Sequence, residues 1–238
     1  EEGLVTRSGH LGFASAVHRQ AVEDRYLATP ELRAHAHATL AAYFDTQPLG
    51  PRVVDELPWQ QLDAGDTSAL ARTLSGLAFT EAAFTRDAVD VRRLWARAEA
   101  AGHRVVDGYR AIVDTPGSDP ESAWAVARLV TDAGYPSEAT RLHRFLVEHH
   151  RTALANGDDL GIGTPRVAAR LRASLVNLGS ALWTQGQLDD ALGPLQEALG
   201  LARAAGDERV LRASVGNVAL VLRDLGRLDD ARPLFAED

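Results

Sequence analysis

Residues 171–198 read LRASLVNLGSALWTQGQLDDALGPLQEA, and residues 211–238 read LRASVGNVALVLRDLGRLDDARPLFAED. Laid over one another at a spacing of 40 without gaps, they share 12 identities in 28 positions. Repetition at that period is the mark of a stacked array. Inside each unit, Leu171, Leu175, Leu178 and Leu182 (then Leu211, Val215, Val218 and Leu222) step by three and four, which is one face of a helix. Gly186 and Gly226 follow, residues that tolerate the positive φ of a helix end. A second helix starts at once, with Leu188, Ala191, Leu195 and Ala198 inward. Its alanines let two antiparallel helices approach closely.

A weaker copy precedes these. WAVARLVTDAGYPSEATRLHRFLVEHH (124–150) repeats the helix–Gly–helix plan, with Gly134 and Ala139 standing for Gly186 and Ala191. Its offset is 52, and the excess falls in NGDDLGIGTP (156–165), a stretch of turn formers. Upstream, 87–114 reads as two more helices, VDVRRLWARAEAAG and HRVVDGYRAIVD. Residues 56–84 read as a helical pair with an N-cap at Asp66-Thr67-Ser68. QPLGP (47–51) is a short linker. At the start, LVTRSGHLGFAS alternates around Ser8-Gly9 as a hairpin does over 4–14. Two helices follow it. Trp59 and Trp95 are expected in the core of the upstream helices.

Composition narrows the function classes. The 238 residues carry 25 basic and 33 acidic side chains, net charge −8, with no Cys and no Met. Disulfides, thiolate nucleophiles and thiolate metal sites are excluded. A negative chain is a poor general binder of nucleic acid or anionic membrane. No apolar run approaches the roughly 20 residues of a membrane span, and no signal segment opens the chain. Every basic residue is Arg, so a GxxxxGK[ST] phosphate loop and a Schiff-base lysine are both impossible. All-Arg basicity with two isoleucines reads as a GC-rich genome, actinobacterial in style. The Glu-Glu opening reads as a fragment of something longer.

The tandem units resemble tetratricopeptide repeats, of the 40–42-residue kind found in kinesin light chain and nephrocystin. The resemblance covers about 120–238 through Asn177-Leu178-Gly179 and Asn217-Val218-Ala219, then the turn glycines, then Ala191 and Ala231. The first 100 residues resemble the segment after the ATPase core of NACHT-type signalling ATPases, the STAND class. Its carriers are Phe13, Ala21-Val22, Arg25-Tyr26, His37, Leu40-Ala41, Tyr43-Phe44 and Asp55-Glu56-Leu57-Pro58-Trp59. Many members of that class carry a histidine two residues after the position of Phe13, thought to sense the nucleotide's phosphate. Ser15 stands there in this chain, which removes that contact.

The resemblance implies an all-α fold, a right-handed tetratricopeptide solenoid, apart from the hairpin. It divides the chain into the end of a winged-helix domain (1–46), a helical connector (47–115) and repeats (116–238). The array closes on a second helix without a polar cap, so further repeats are expected beyond it. The first helix of each pair should line an inner groove. Asn177 and Asn217 fall where related repeats hydrogen-bond a peptide backbone, a task for an amide that both donates and accepts; the alternative is an Asn bridging neighbouring repeats. Trp183 and Arg223, with Trp124 and Arg128 in the weak copy, share the register, either facing the groove or packing on the next repeat. Arg172 and Arg212 would meet an acidic partner or solvate a ridge.

No catalytic constellation emerges. His35 and His37 are two apart on one helix and point apart, and His149 and His150 are adjacent, so neither pair shares a metal. No G-x-S-x-G marks a nucleophile, and Gly157-Asp158-Asp159 lacks the alternation of a calcium loop. The LDDA runs at 188–191 and 228–231 place acids in a helix's first turn. No cofactor and no metal are expected, and no tight ATP binding. Two classes of function follow: a cytoplasmic, non-catalytic sensor and scaffold arm of a signalling ATPase, binding a protein or peptide and self-associating through the intact ATPase; or a self-contained enzyme, for which no residue speaks. Within the binding class the alternative is the peptide-sensing arm of a bacterial transcriptional regulator.

Overall fold

The computed structural model describes residues 4–7, 10–13, 15–157, 163–206 and 208–237, with side chains described from Ser15 to Phe235 within those ranges. Two short strands open it, β1 (Leu4–Arg7) and β2 (His10–Phe13), paired antiparallel with Leu4 opposite Phe13 and Arg7 opposite His10. The expected Ser8-Gly9 turn lies outside the described residues. Thirteen helices follow among the described residues, and the chain divides into two compact units, 1–103 and 104–238.

In the first unit, α1 (Ala16–Tyr26) begins at Ser15, whose Oγ accepts from the His18 amide. Then come α2 (Pro30–Asp45), α3 (Pro51–Asp63), α4 (Thr67–Ser75) and α5 (Leu77–Ala100). Asp66 caps α4 by accepting from the Ala69 amide at 2.8 Å, as its position before Thr67-Ser68 implies. The helical pair expected over 56–84 is instead two helices and the opening of a third, because Gly76 is extended (φ −71°, ψ 115°) and divides α4 from α5. Helix α5 then breaks at Asp87 (φ −155°, ψ 100°), whose Oδ1 accepts from the Val89 and Asp90 amides and restarts the helix.

The second unit opens with two single turns, α6 (Val105–Gly108) and α7 (Arg110–Asp114), where one continuous helix was expected. Gly108, a poor helix former, precedes Tyr109, which leaves helical geometry and buries its ring. A 3₁₀ turn (Pro116–Ser118) leads into the array: α8 (Pro120–Asp132), α9 (Pro136–Ala155), α10 (Thr164–Thr184), α11 (Leu188–Ala205), α12 (Glu208–Asp224) and α13 (Leu228–Glu237). Consecutive helices pack on one another throughout, α8 on α9 through to α12 on α13. This is a helical solenoid.

One device ends helix after helix. Gly134, Gly186 and Gly226 take φ of 82°, 74° and 74°. In each case the amide of the next residue reaches back to the carbonyl five before it: Tyr135 to Val130, Gln187 to Leu182, Arg227 to Leu222. That closure satisfies a carbonyl the helix would orphan and turns the chain into its antiparallel partner. The same bond follows Gly65 (Asp66 to Gln61) and Gly102 (His103 to Ala98), so the first unit uses the device too.

Between the paired helices the core is aliphatic. Leu171, Leu175, Leu178 and Leu182 of α10 are buried with Ala191, Leu195 and Ala198 of α11 and with Val215, Val218 and Leu222 of α12. Each such leucine or valine contributes about 1.5–3 kcal/mol by leaving water. The approach of α10 to α11 is tight at Gly179, where an added Cβ would lie 2.5 Å from Leu195 Cγ and 3.2 Å from the Ala191 carbonyl oxygen.

Candidate functional site

The first helices of the three pairs are α8, α10 and α12, and polar contacts stitch them side by side. Arg170 on α10 makes a bidentate ion pair with Glu121 on α8, both N–O distances 2.7 Å, with its guanidinium 5.6 Å over the Trp124 ring. Trp183 on α10 donates its indole N–H to Asp224 on α12 at 2.9 Å. Arg223 shares that carboxylate, and the two donors hold Asp224 below the usual carboxylate range. The second helices are joined in the same way, Arg151 of α9 donating to Glu197 of α11 at 3.0 Å.

These contacts sort the expected groove residues. Trp183 spends its donor on the next repeat, and Trp124 sits edge-on to His150 under Arg170, so both tryptophans pack between helices. Arg223 is exposed and paired with its neighbour; Arg128 is half-buried and engaged. Asn177 and Asn217 are half-buried, and among the described residues neither amide has a hydrogen-bond partner. At 100° per residue, Arg172 lies about 140° around α10 from Asn177, and Arg212 stands likewise to Asn217. The arginines thus share the flank of Trp183 and Arg223, while the asparagines share a face with Arg166, Arg170 and Ala173 on α10 and with Ala213 and Leu220 on α12.

Several structural residues carried no local signal. Gln185 donates to the Pro136 carbonyl at 3.1 Å and lies 2.8 Å from the Thr140 hydroxyl, pinning the end of α10 to the start of α9. His143 is wholly buried. Thr131 gives its hydroxyl proton to the Ala127 carbonyl, so the 3.0 Å contact to His143 Nε2 makes that nitrogen the donor and leaves buried Nδ1 bare. Protonation would put a cation there without an acceptor, and burial pushes His143 down to about 4. His150 is also pushed down to about 4, first by burial and then by His149 and Arg170. His37 meets Gln60 at 2.7 Å, and His149 stacks on Phe145. Trp95 is buried as expected; Trp59 is only half-buried and lines a cleft in the first unit.

Among the described residues no three His, Asp or Glu side chains gather to hold a metal ion, and no helix is long and apolar enough to cross a membrane. The LDDA acids sit in the first turns of α11 and α13. No curated protein matches the chain. The family model described as tetratricopeptide repeat matches residues 171–205, the span of α10 and α11 that carries Asn177, the Gly186 turn and Ala191. The chain contains tetratricopeptide repeat structure, a scaffold for protein–protein contact.

Proposed function

We propose that the chain is a non-catalytic, partner-recognising arm of a STAND-class signalling ATPase, acting in the cytoplasm. An extended protein segment lies along the faces of α10 and α12, and its capture biases a nucleotide switch elsewhere in the intact protein. The hairpin and α1–α2 then correspond to the end of a winged-helix domain, and residues 47–115 to a connector. The supporting observation is the pair of amides 40 residues apart. Asn177 and Asn217 stand in register on neighbouring first helices and bond to nothing among the described residues. An amide bridging repeats would be bonded in the free protein; an amide reserved for a partner backbone would not.

The test is the double change Asn177→Ala, Asn217→Ala. The melting temperature should stay within about two degrees of the parent, because no internal hydrogen bond is lost. Affinity for a partner captured by the parent chain should fall roughly five- to 150-fold, from two bonds of about 0.5–1.5 kcal/mol each. A melt lowered by five degrees or more would return both residues to the scaffold.

A further inference from the structure

In the first unit, the break of α5 at Asp87 opens a cleft of about 170 Å³ against α3. Its floor is apolar, with Phe79, Val91 and Leu94 buried there. One wall is Trp59, half-buried, whose indole N–H has no hydrogen-bond partner among the described residues. The rim is charged. Arg86 closes on Asp55 as a bidentate pair, through Nε to Oδ1 at 2.6 Å and Nη2 to Oδ2, and those two charges cancel. Asp87 and Asp90 remain, Asp87 using Oδ1 on backbone amides and Asp90 meeting Arg93 Nη1 at 3.3 Å. The volume is well under the roughly 300–1,000 Å³ of cofactor and drug pockets, and matches a single side chain or a small organic ion.

We infer that this cleft binds an aliphatic guanidinium: its alkyl stem on the apolar floor, its plane against the Trp59 ring, its charge toward Asp87 and Asp90. A guanidinium suits the cleft better than an ammonium because it is flat, weakly hydrated and stacks on an aromatic face. On the same rim, the Asp55–Arg86 pair already shows a guanidinium held by a carboxylate. An anion would meet the Asp87 carboxylate, which has no cationic partner among the described residues, beside Asp90, and a neutral apolar ligand would leave Asp87 without use. The inference does not rest on the partner-binding reading of α10 and α12, which belongs to the other unit. It gives a role to Trp59, a residue of the DELPW run.

The test uses the full chain labelled with ¹⁵N and titrated with n-butylguanidinium, following the indole N–H resonance of Trp59, assigned by its loss in Trp59→Phe. That resonance should shift saturably at millimolar probe. The Asp87→Asn, Asp90→Asn double variant should weaken binding roughly five- to tenfold while keeping the fold, since Asn also caps a helix. Uncharged n-butylurea should bind at least about fivefold more weakly than the guanidinium. A Gly-Arg-Gly peptide separates the sources: tighter than the bare probe points to an arginine of a partner chain, weaker to a free small cation, and either agrees with the chemistry. No shift up to about 50 mM probe, an equal response to the urea, or binding indifferent to the double variant would overturn the inference.

Discussion

Helices α1 and α10 both carry apolar residues at helical spacing, and they meet opposite fates. Helix α10 buries eight of its 21 residues between α9, α11 and α12. Helix α1 packs beside β2 and buries none of its 11, leaving Val17 76% and Tyr26 60% exposed. The difference shows where helical stability resides. A helix of 11 residues is marginal in water on propensity alone, and tertiary cover makes it persistent. Ser15 caps α1 with its side chain, whereas α10 starts after Gly163 with no side-chain cap, so capping does not account for the difference. What α1 lacks among the described residues is a surface to bury against.

The largest expected effect follows from that contrast. Amide exchange in α1 should run within about tenfold of an unstructured peptide, whereas Leu175–Leu182 in α10 should be slowed by about 10⁴ or more, the factor a global unfolding of several kcal/mol imposes. Mass spectrometry of exchanged peptides reads both in one experiment. Protection of α1 equal to that of α10 would break the comparison and show that residues 16–26 are covered in solution.

What the sequence revealed divides along the same line. The helix–Gly–helix plan was legible because each part is local: a face at three and four, a glycine at positive φ, an alanine at the crossing. The break at Asp87 was half legible, since the helical pattern was already read as interrupted between residues 84 and 87; that the helix restarts on its own aspartate cap was not. Gly108 and Tyr109 hid the split of 103–114, because the apolar spacing continues through it. The stitching contacts were illegible. Arg170–Glu121, Trp183–Asp224 and Arg151–Glu197 join residues 41 to 49 apart, and nothing in either stretch announces its partner. For the same reason the sequence left Trp183 and Trp124 between groove and packing; both pack between helices, while among the described residues the Asn177 and Asn217 amides have no hydrogen-bond partner.

A pH series sharpens the contrast next. His143 and His150 titrate near 4 when folded and near 6.5 when unfolded, so between those values the unfolded chain binds more protons. The stability they contribute is complete above pH 6.5 and drains away as pH falls toward 4. For His143 alone the loss is about 3 kcal/mol. The lowered carboxylates, Glu121 and Asp224, act in a lower window, losing their contribution only as pH falls through the acid range below their ordinary values. Thermal melts at pH 7, 6 and 5 should therefore show the array weakening by pH 5, with exchange in α1 unaffected beyond its intrinsic pH dependence. The His143→Leu, His150→Leu double variant should flatten that slope. A parent melt independent of pH from 7 to 5 would mean that the histidines are hydrated rather than buried.

The smallest effect is the most local, and its sign differs between two glycines of equivalent helices. At Gly179 a methyl group would collide with Leu195 Cγ and crowd the Ala191 carbonyl, so the α10–α11 crossing must open. Overpacking of that kind costs about 1–3 kcal/mol, against roughly 1 kcal/mol gained in helix propensity. Gly179→Ala should thus lower stability by about 1 kcal/mol on balance. Gly216 in α12 has nothing within 4 Å of the position a Cβ would take. There only the propensity gain remains, so Gly216→Ala should raise stability by up to about 1 kcal/mol. The next repeat already holds Ala219 where α10 holds Gly179, and Ala219 is fully buried, so α12 and α13 accept at their crossing the methyl group that α10 and α11 exclude. Denaturant melts of the two single variants decide it. Equal shifts of the same sign would mean that the close approach at Gly179 does not persist in solution.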